Sequence, residues 1–188
     1  MVAVLAATLV VAAAVQGLVG LGLGLVAAPV TMLLEPDLML WLAMLLPMAT
    51  LLREHQEIDW RGLGWSLPAR VPGTAAGVAL VATFSKDALG VVVGAMVLLS
   101  VLLTARAVVI PVNRATLVTA GFTSGITGTA TSIGGPPLAI LLQHRTPRQI
   151  RTTLAVYFLL GAALSLCGLL VSGHLDLGVV LLALLLTP

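Results

Sequence analysis

Residues Gly121 to Gln143 read GFTSGITGTATSIGGPPLAILLQ. The stretch is apolar enough for a bilayer, yet it holds five glycines, two adjacent prolines and six hydroxyl side chains. Glycine costs a helix interior about 1 kcal/mol and proline about 3 kcal/mol. An unbroken helix through Gly134-Gly135-Pro136-Pro137 is therefore not expected. In hydrocarbon, non-helical backbone survives only where protein buries it or where it lines a wet cavity. A broken helix at membrane depth is a pointer to a transporter's binding site.

The pattern occurs twice. At a constant shift of 108 residues, Gly17 and Gly20 fall on Gly125 and Gly128, and Pro29-Val30-Thr31-Met32-Leu33-Leu34 falls on Pro137-Leu138-Ala139-Ile140-Leu141-Leu142. A looser echo sets Ile58-Asp59-Trp60 against Leu175-Asp176-Leu177. Leucine-rich runs align by chance, but two glycines and a proline in register point to an internal duplication.

Composition places the whole chain in a membrane. The 188 residues are 60% hydrophobic and 9% charged, with a mean hydropathy of +1.16. A soluble fold of this length needs far more polar exterior. The net charge of +2 comes from thinly spread basic residues and reads as orientation in the bilayer rather than nucleic-acid binding. Cys167 is the single cysteine, so disulfide frameworks, thiol relays and cysteine metal sites are not expected. His55, His144 and His174 fall in three different loops, and no metal or other cofactor is expected. Met1-Val2-Ala3 lacks a basic leader region, so the first apolar run reads as a retained membrane segment.

That run, residues 2–34, is uncharged. As one helix it would be about 50 Å long, against a hydrocarbon core of about 30 Å. The glycines between Gly17 and Gly24 supply the expected break. Spans are expected at 38–52, 62–84 and 88–105, with Gly73/Gly77 and Gly90/Gly94 as small-residue packing faces. These complete a first repeat, residues 1–105. The second repeat, 106–188, has its broken run at 115–142, a span at 152–171 and a partial span at 177–188. Through the Asp59/Asp176 match, Pro188 corresponds to about Val71. Counterparts of residues 72–105 are then missing, and the sequence reads as truncated.

Basic residues choose between two topologies. If each broken run crosses once, Arg53, Arg61, Arg106 and Arg114 face Lys86, Arg145, Arg148 and Arg151, four against four. If each run is a re-entrant hairpin, seven of these face one side and Lys86 alone the other. The positive-inside rule prefers the hairpin. Each repeat then makes an odd number of crossings, so the fold is an all-α integral membrane protein of two inverted repeats.

The ordered set of features resembles the sulfite exporter TauE/SafE family. The likeness lies in GLVGLGLGLVAAP from Gly17 to Pro29, in GITGTATSIGGP from Gly125 to Pro136, in Ile58-Asp59-Trp60, and in Arg148-Gln149-Ile150-Arg151. It extends over almost the whole chain, although no single motif is specific. The resemblance implies a multi-pass permease or exporter of the bacterial inner membrane. Its cargo would be small organic or sulfur-containing anions such as sulfite or sulfoacetate. The missing C-terminal part is where this chain departs from the family.

The broken segments offer anion chemistry of their own. A second arm starting at Pro136 or Pro137 has proline where a first helical residue prefers it. Its N–H groups and positive end would face the membrane interior. Gly125, Gly128, Gly134 and Gly135 let backbone approach a ligand, and Thr127, Thr129, Thr131 and Ser132 add hydroxyl donors. The first-repeat counterparts Gly20, Gly24 and Pro29 would give shape and backbone groups. Tight helix packing is the competing reading of the same glycines and threonines. Arg70, between Pro68 and Pro72, is the one basic residue inside an expected span, and two readings stand: snorkelling to the basic face, or contact with the anion.

The expected partners are a small anionic substrate and the lipid bilayer, with no nucleic acid; homo-oligomerisation is left open. A secondary transporter is the leading function. A passive anion channel or structural membrane subunit is the alternative. A hydrolase using Ser124 or Ser132 would need a histidine within hydrogen-bond reach at membrane depth, and none is placed there. No enzyme activity is expected.

Overall fold

A computed structural model describes residues 2–19, 26–27, 36–85, 88, 91–92, 94–95, 98, 102, 110–131 and 134–171. Six helices and no strand occur among these residues: α1 (Val2–Val19), α2 (Pro36–Arg53), α3 (Trp60–Thr83), α4 (Arg114–Thr131), α5 (Pro136–Leu142) and α6 (Pro147–Val171). The expected breaks and spans at residues 20–25, 28–35 and 177–188, and most of 88–105, lie outside the described residues.

Three of the helices open on polar caps at the same end of the bundle. The Asp59 carboxylate accepts from the N–H of Gly62 at 2.9 Å, satisfying one of the donors left over in the first turn of α3. Asn113 and Thr116 exchange bonds at the start of α4: Thr116 N–H donates to Asn113 Oδ1 at 2.9 Å, and Asn113 N–H to Thr116 Oγ1 at 3.0 Å. At α6, Thr146 Oγ1 accepts from Gln149 N–H at 3.2 Å, with Pro147 at the first helical position. Helix α6 thus begins earlier than the expected span at 152, because Thr146-Pro147 starts a helix by itself. Arg148 and Arg151 ride on its first turns rather than in a loop.

Polar contacts then tie the ends together. Arg151 forms an ion pair with Glu54 at 2.9 Å, Thr146 donates to Glu57 Oε2 at 2.9 Å, and Asp59 N–H donates to Thr153 Oγ1 at 3.0 Å. Arg114 lies over the Trp65 ring, 4.8 Å from its centroid. From this shared end α3, α4 and α6 run parallel. Side by side, Ser66 meets Gly121, Gly73 meets Phe122 and Gly125, and Gly77 meets Ile126 and Thr129. A methyl group on Gly125 would come within 2.5 Å of the Arg70 carbonyl oxygen, so only glycine lets α3 and α4 approach this closely. Gly73 and Gly77 pack as expected from sequence; a methyl group on Gly94 would meet nothing within 4 Å among the described residues, so the expected packing there is not seen, and Gly90 lies outside the described residues.

Helix α5 runs the other way. Its Leu138, Leu141 and Leu142 join Leu63, Leu117 and Leu154, each near the capped start of its helix, in one buried cluster. At the opposite end of α5, Gly134 packs against Ser124 and Gly128 of α4, and the Ser124 hydroxyl donates to its carbonyl. The chain therefore climbs along α4, doubles back through Gly134-Gly135 and α5, and climbs again as α6. Helix α2 packs antiparallel on α6, with Trp41 and Met44 against Leu166 and Leu169.

Among the described residues one helix, Pro147–Val171, is long and apolar enough to cross a membrane by itself. Helices α3 and α4 fall short because of Ser66, Arg70, Thr74 and the hydroxyl-rich run Thr123–Thr131, and most of those groups face neighbouring helices rather than the periphery.

Candidate functional site

Arg70 is the tenth residue after the start of α3, Tyr157 the tenth after the start of α6, and Ser124 the tenth after the start of α4. At about 1.5 Å per residue each lies about 15 Å from the capped end, close to half of a 30 Å hydrocarbon core. Parallel helices of matched register thus bring the three residues to one depth.

The buried side of α3 is set by its prolines. Pro68 and Pro72 are exposed, and Arg70, about 200° around the helix from Pro68, is only 3% exposed. Snorkelling is therefore excluded as the reading of Arg70: a side chain 15 Å from the end is too deep to reach the surface, and this one turns inward. Its guanidinium lies over the Tyr157 ring, with Cζ 4.6 Å from the ring centroid. Nη1 approaches the Tyr157 carbonyl oxygen at 3.5 Å. Gly161, one turn further along α6, lies directly beneath the guanidinium, and a methyl group there would overlap it. Across the site, Nη2 lies 2.9 Å from where a Gly128 methyl would sit, and that methyl would also touch Gly134 Cα at 3.3 Å. Gly128 thus stands between the cation of α3 and the non-helical Gly134.

No carboxylate balances this charge among the described residues, whose one ion pair is Arg151–Glu54. Arg70 Nε, Thr74 Oγ1 and Tyr157 Oη are buried without a hydrogen-bond partner there. Nor does any group of three His, Cys, Asp or Glu among these residues come close enough to hold a metal ion.

The expected site residues divide into three groups. Gly128, Gly134 and Arg70 come together, and Gly135 and Pro136 are buried beside them. Gly125 serves the α3–α4 contact, and the Thr129 hydroxyl is shared with Ser165 at 2.7 Å, bonding α4 to α6. Gly20, Gly24, Pro29 and Ser132 lie outside the described residues, as does the side chain of Thr131. Pro136 and Pro137 take the first two positions of α5 and have no N–H to offer, and α5 is only seven residues long. The formal positive charge here belongs to Arg70.

Tyr157, Gly161 and Thr74 are absent from the sequence-based site. Tyr157 is the only tyrosine in the chain and stands mid-span, Gly161 follows it by one turn, and Thr74 follows Arg70 by one turn. Those spacings were the available signal.

A family model described as Sulfite exporter TauE/SafE matches residues 5–188. No curated protein and no solved structure matches the chain.

Proposed function

The chain belongs to the sulfite exporter TauE/SafE family, a family of membrane transporters, and from that premise we propose that it is a secondary transporter whose anion site centres on Arg70. The cargo class is small organic or sulfur-containing anions such as sulfite or sulfoacetate, moved across the bacterial inner membrane.

The observation that carries this reading is a guanidinium buried among α3, α4 and α6 with no carboxylate beside it among the described residues. Taking a charge out of water costs several kcal/mol, and only a well-placed countercharge offsets that. A mobile anion supplies the countercharge when bound and leaves it unmet when released. Arg70 also gives a planar fork of donors suited to oxyanions. Its near-complete burial makes this an occluded arrangement, so α3, α4 and α6 must part on one side for substrate to reach it.

The expected re-entrant topology has support of its own. Glu54–Arg151 and Glu57–Thr146 hold the start of α6 against the loop before α3, and α5 returns to that same end. That path suits a segment 115–142 that dips in and returns, as two inverted repeats require.

The test is sulfite flux in proteoliposomes containing the purified chain. Flux is expected to saturate with concentration and to fall about tenfold or more in Arg70→Ala, the scale of losing a charged hydrogen bond. Flux rising linearly without saturation makes the protein a passive channel. Saturable flux indifferent to Arg70→Ala places the site elsewhere.

A further inference from the structure

The acidic side chains described at the capped end of the bundle are all engaged. Glu54 pairs with Arg151, Glu57 accepts from Thr146, and Asp59 accepts from the Gly62 N–H. Where α3 and α4 start side by side, the cations are left without acids. Arg61 and Arg114 are both exposed, and neither forms an ion pair among the described residues.

These two arginines share one tryptophan. Arg114 lies over the Trp65 ring, with Cζ 4.8 Å from its centroid. Arg61 precedes Trp65 by four residues on α3, so the two stand on one helix face. Trp65 is 44% exposed. It lies about 8 Å inside the start of α3 at about 1.5 Å per residue, the level at which an indole sits between headgroups and hydrocarbon. Further in, Val118 and Phe122 are exposed one and two turns beyond Arg114, and Pro68 is exposed beyond Trp65. The exposed surface thus changes from cationic to apolar in the order in which a phospholipid changes from headgroup to acyl chain.

We propose that Arg61, Trp65 and Arg114 form a binding site for an anionic phospholipid, its phosphate met by the two arginines and an acyl chain lying along Val118 and Phe122. Stacking on Trp65 covers one face of the Arg114 guanidinium and leaves its edge, where the N–H donors are, for phosphate oxygens. Basic side chains between membrane helices are the usual recognition of such headgroups. A zwitterionic lipid offers the same phosphate with an ammonium that two arginines repel, so the net charge of the headgroup decides. The site needs the capped end to lie at a membrane surface; it does not need Arg70 to bind the transported anion.

Native mass spectrometry of the purified full chain, taken from detergent micelles holding equal amounts of phosphatidylglycerol and phosphatidylcholine, tests this. Phosphatidylglycerol is expected to be retained about tenfold or more over phosphatidylcholine, the scale of two basic side chains at an anionic surface. The Arg61→Gln/Arg114→Gln double variant should lower that preference to about twofold or less. Arg61→Lys/Arg114→Lys should keep most of it, which separates loss of charge from loss of fold. Arg145→Gln/Arg148→Gln, which removes the same charge at the start of α6, should leave it unchanged. Three results overturn the proposal: no preference in the unsubstituted protein, a preference that survives the Arg61→Gln/Arg114→Gln change, or one that falls equally in the α6 variant, which makes it a property of the whole basic end. Displacement of phosphatidylglycerol by an equal concentration of inorganic phosphate also overturns it, because the arginines then hold a soluble anion rather than a lipid. Failure of the transport reading, with flux indifferent to Arg70→Ala, leaves each of these outcomes unaltered.

Discussion

Arg70 and Arg151 are the same side chain in opposite circumstances. Arg151 sits at the capped end of the bundle, 21% exposed, and grips Glu54, itself 30% exposed, through Nε and Nη2 at 2.9–3.2 Å. Arg70 sits about 15 Å deeper by helix rise, buried, against a tyrosine ring and two glycines, with no acid beside it among the described residues. Water and salt stand close to the first, so its pairing adds little stability and needs little. The second has lost its water, and losing water without gaining a partner is a net cost. Charges at the end of the bundle hold segments together; under the proposed function, the charge in the middle is met by a bound anion.

The contrast requires the paired end to lie at a membrane surface. Single cysteines at Asn113 and Gln149, in a Cys167→Ser background, should both be protected from impermeant thiol reagents in intact cells and both be labelled in inverted vesicles. Labelling of one site alone from outside would separate the starts of α4 and α6 and dissolve the comparison. This effect is all-or-none.

Next in size is Arg70→Met, which keeps much of the volume and removes the charge. Sulfite affinity is expected to fall by about a hundredfold or more. The melting temperature should hold or rise, because an apolar replacement relieves an uncompensated buried charge. A protein destabilised by this change would make Arg70 a structural strut, like Arg151.

Gly161→Ala sharpens the picture from the other side of the contact. Its methyl group would overlap the guanidinium, so a loss of about 1–3 kcal/mol in stability is expected, as for overpacking. The loss should largely vanish when Arg70 is alanine, since the clash needs both partners. Additive effects in that double-mutant cycle would put the guanidinium elsewhere in the working protein. The smallest effect belongs to Glu54→Gln: about 0.2–1 kcal/mol of stability, shrinking as salt rises, with sulfite affinity unchanged.

Much of the helical layout is legible in the chain. Gly134-Gly135-Pro136-Pro137 separates α4 from α5 because both residue types oppose a helix interior. The helix starts at Asp59, Asn113 and Thr146-Pro147 rest on short-range bonding that the structure shows and the sequence-based spans did not use. The direction taken by Arg70 is less legible. Snorkelling and inward burial are both open to a long cationic side chain between two prolines, and the choice rests on what α3 packs against. The roles of the hydroxyls are no more local. Thr129 looks like a ligand donor in sequence, yet its hydroxyl is taken by Ser165, 36 residues away. Thr74, passed over in sequence, is the buried threonine left without a partner among the described residues.

By itself the sequence determines that the chain belongs in a bilayer and that a helix breaks at Gly134-Gly135-Pro136-Pro137, because composition and backbone preference act over a few residues. Only the tertiary structure decides which charge is paired and which is left alone. Glu54 reaches Arg151 across 97 positions, and Arg70 reaches Tyr157 across 87. Whether a charge has a partner depends on distance in space, and that distance is set by how closely glycines allow α3, α4 and α6 to approach.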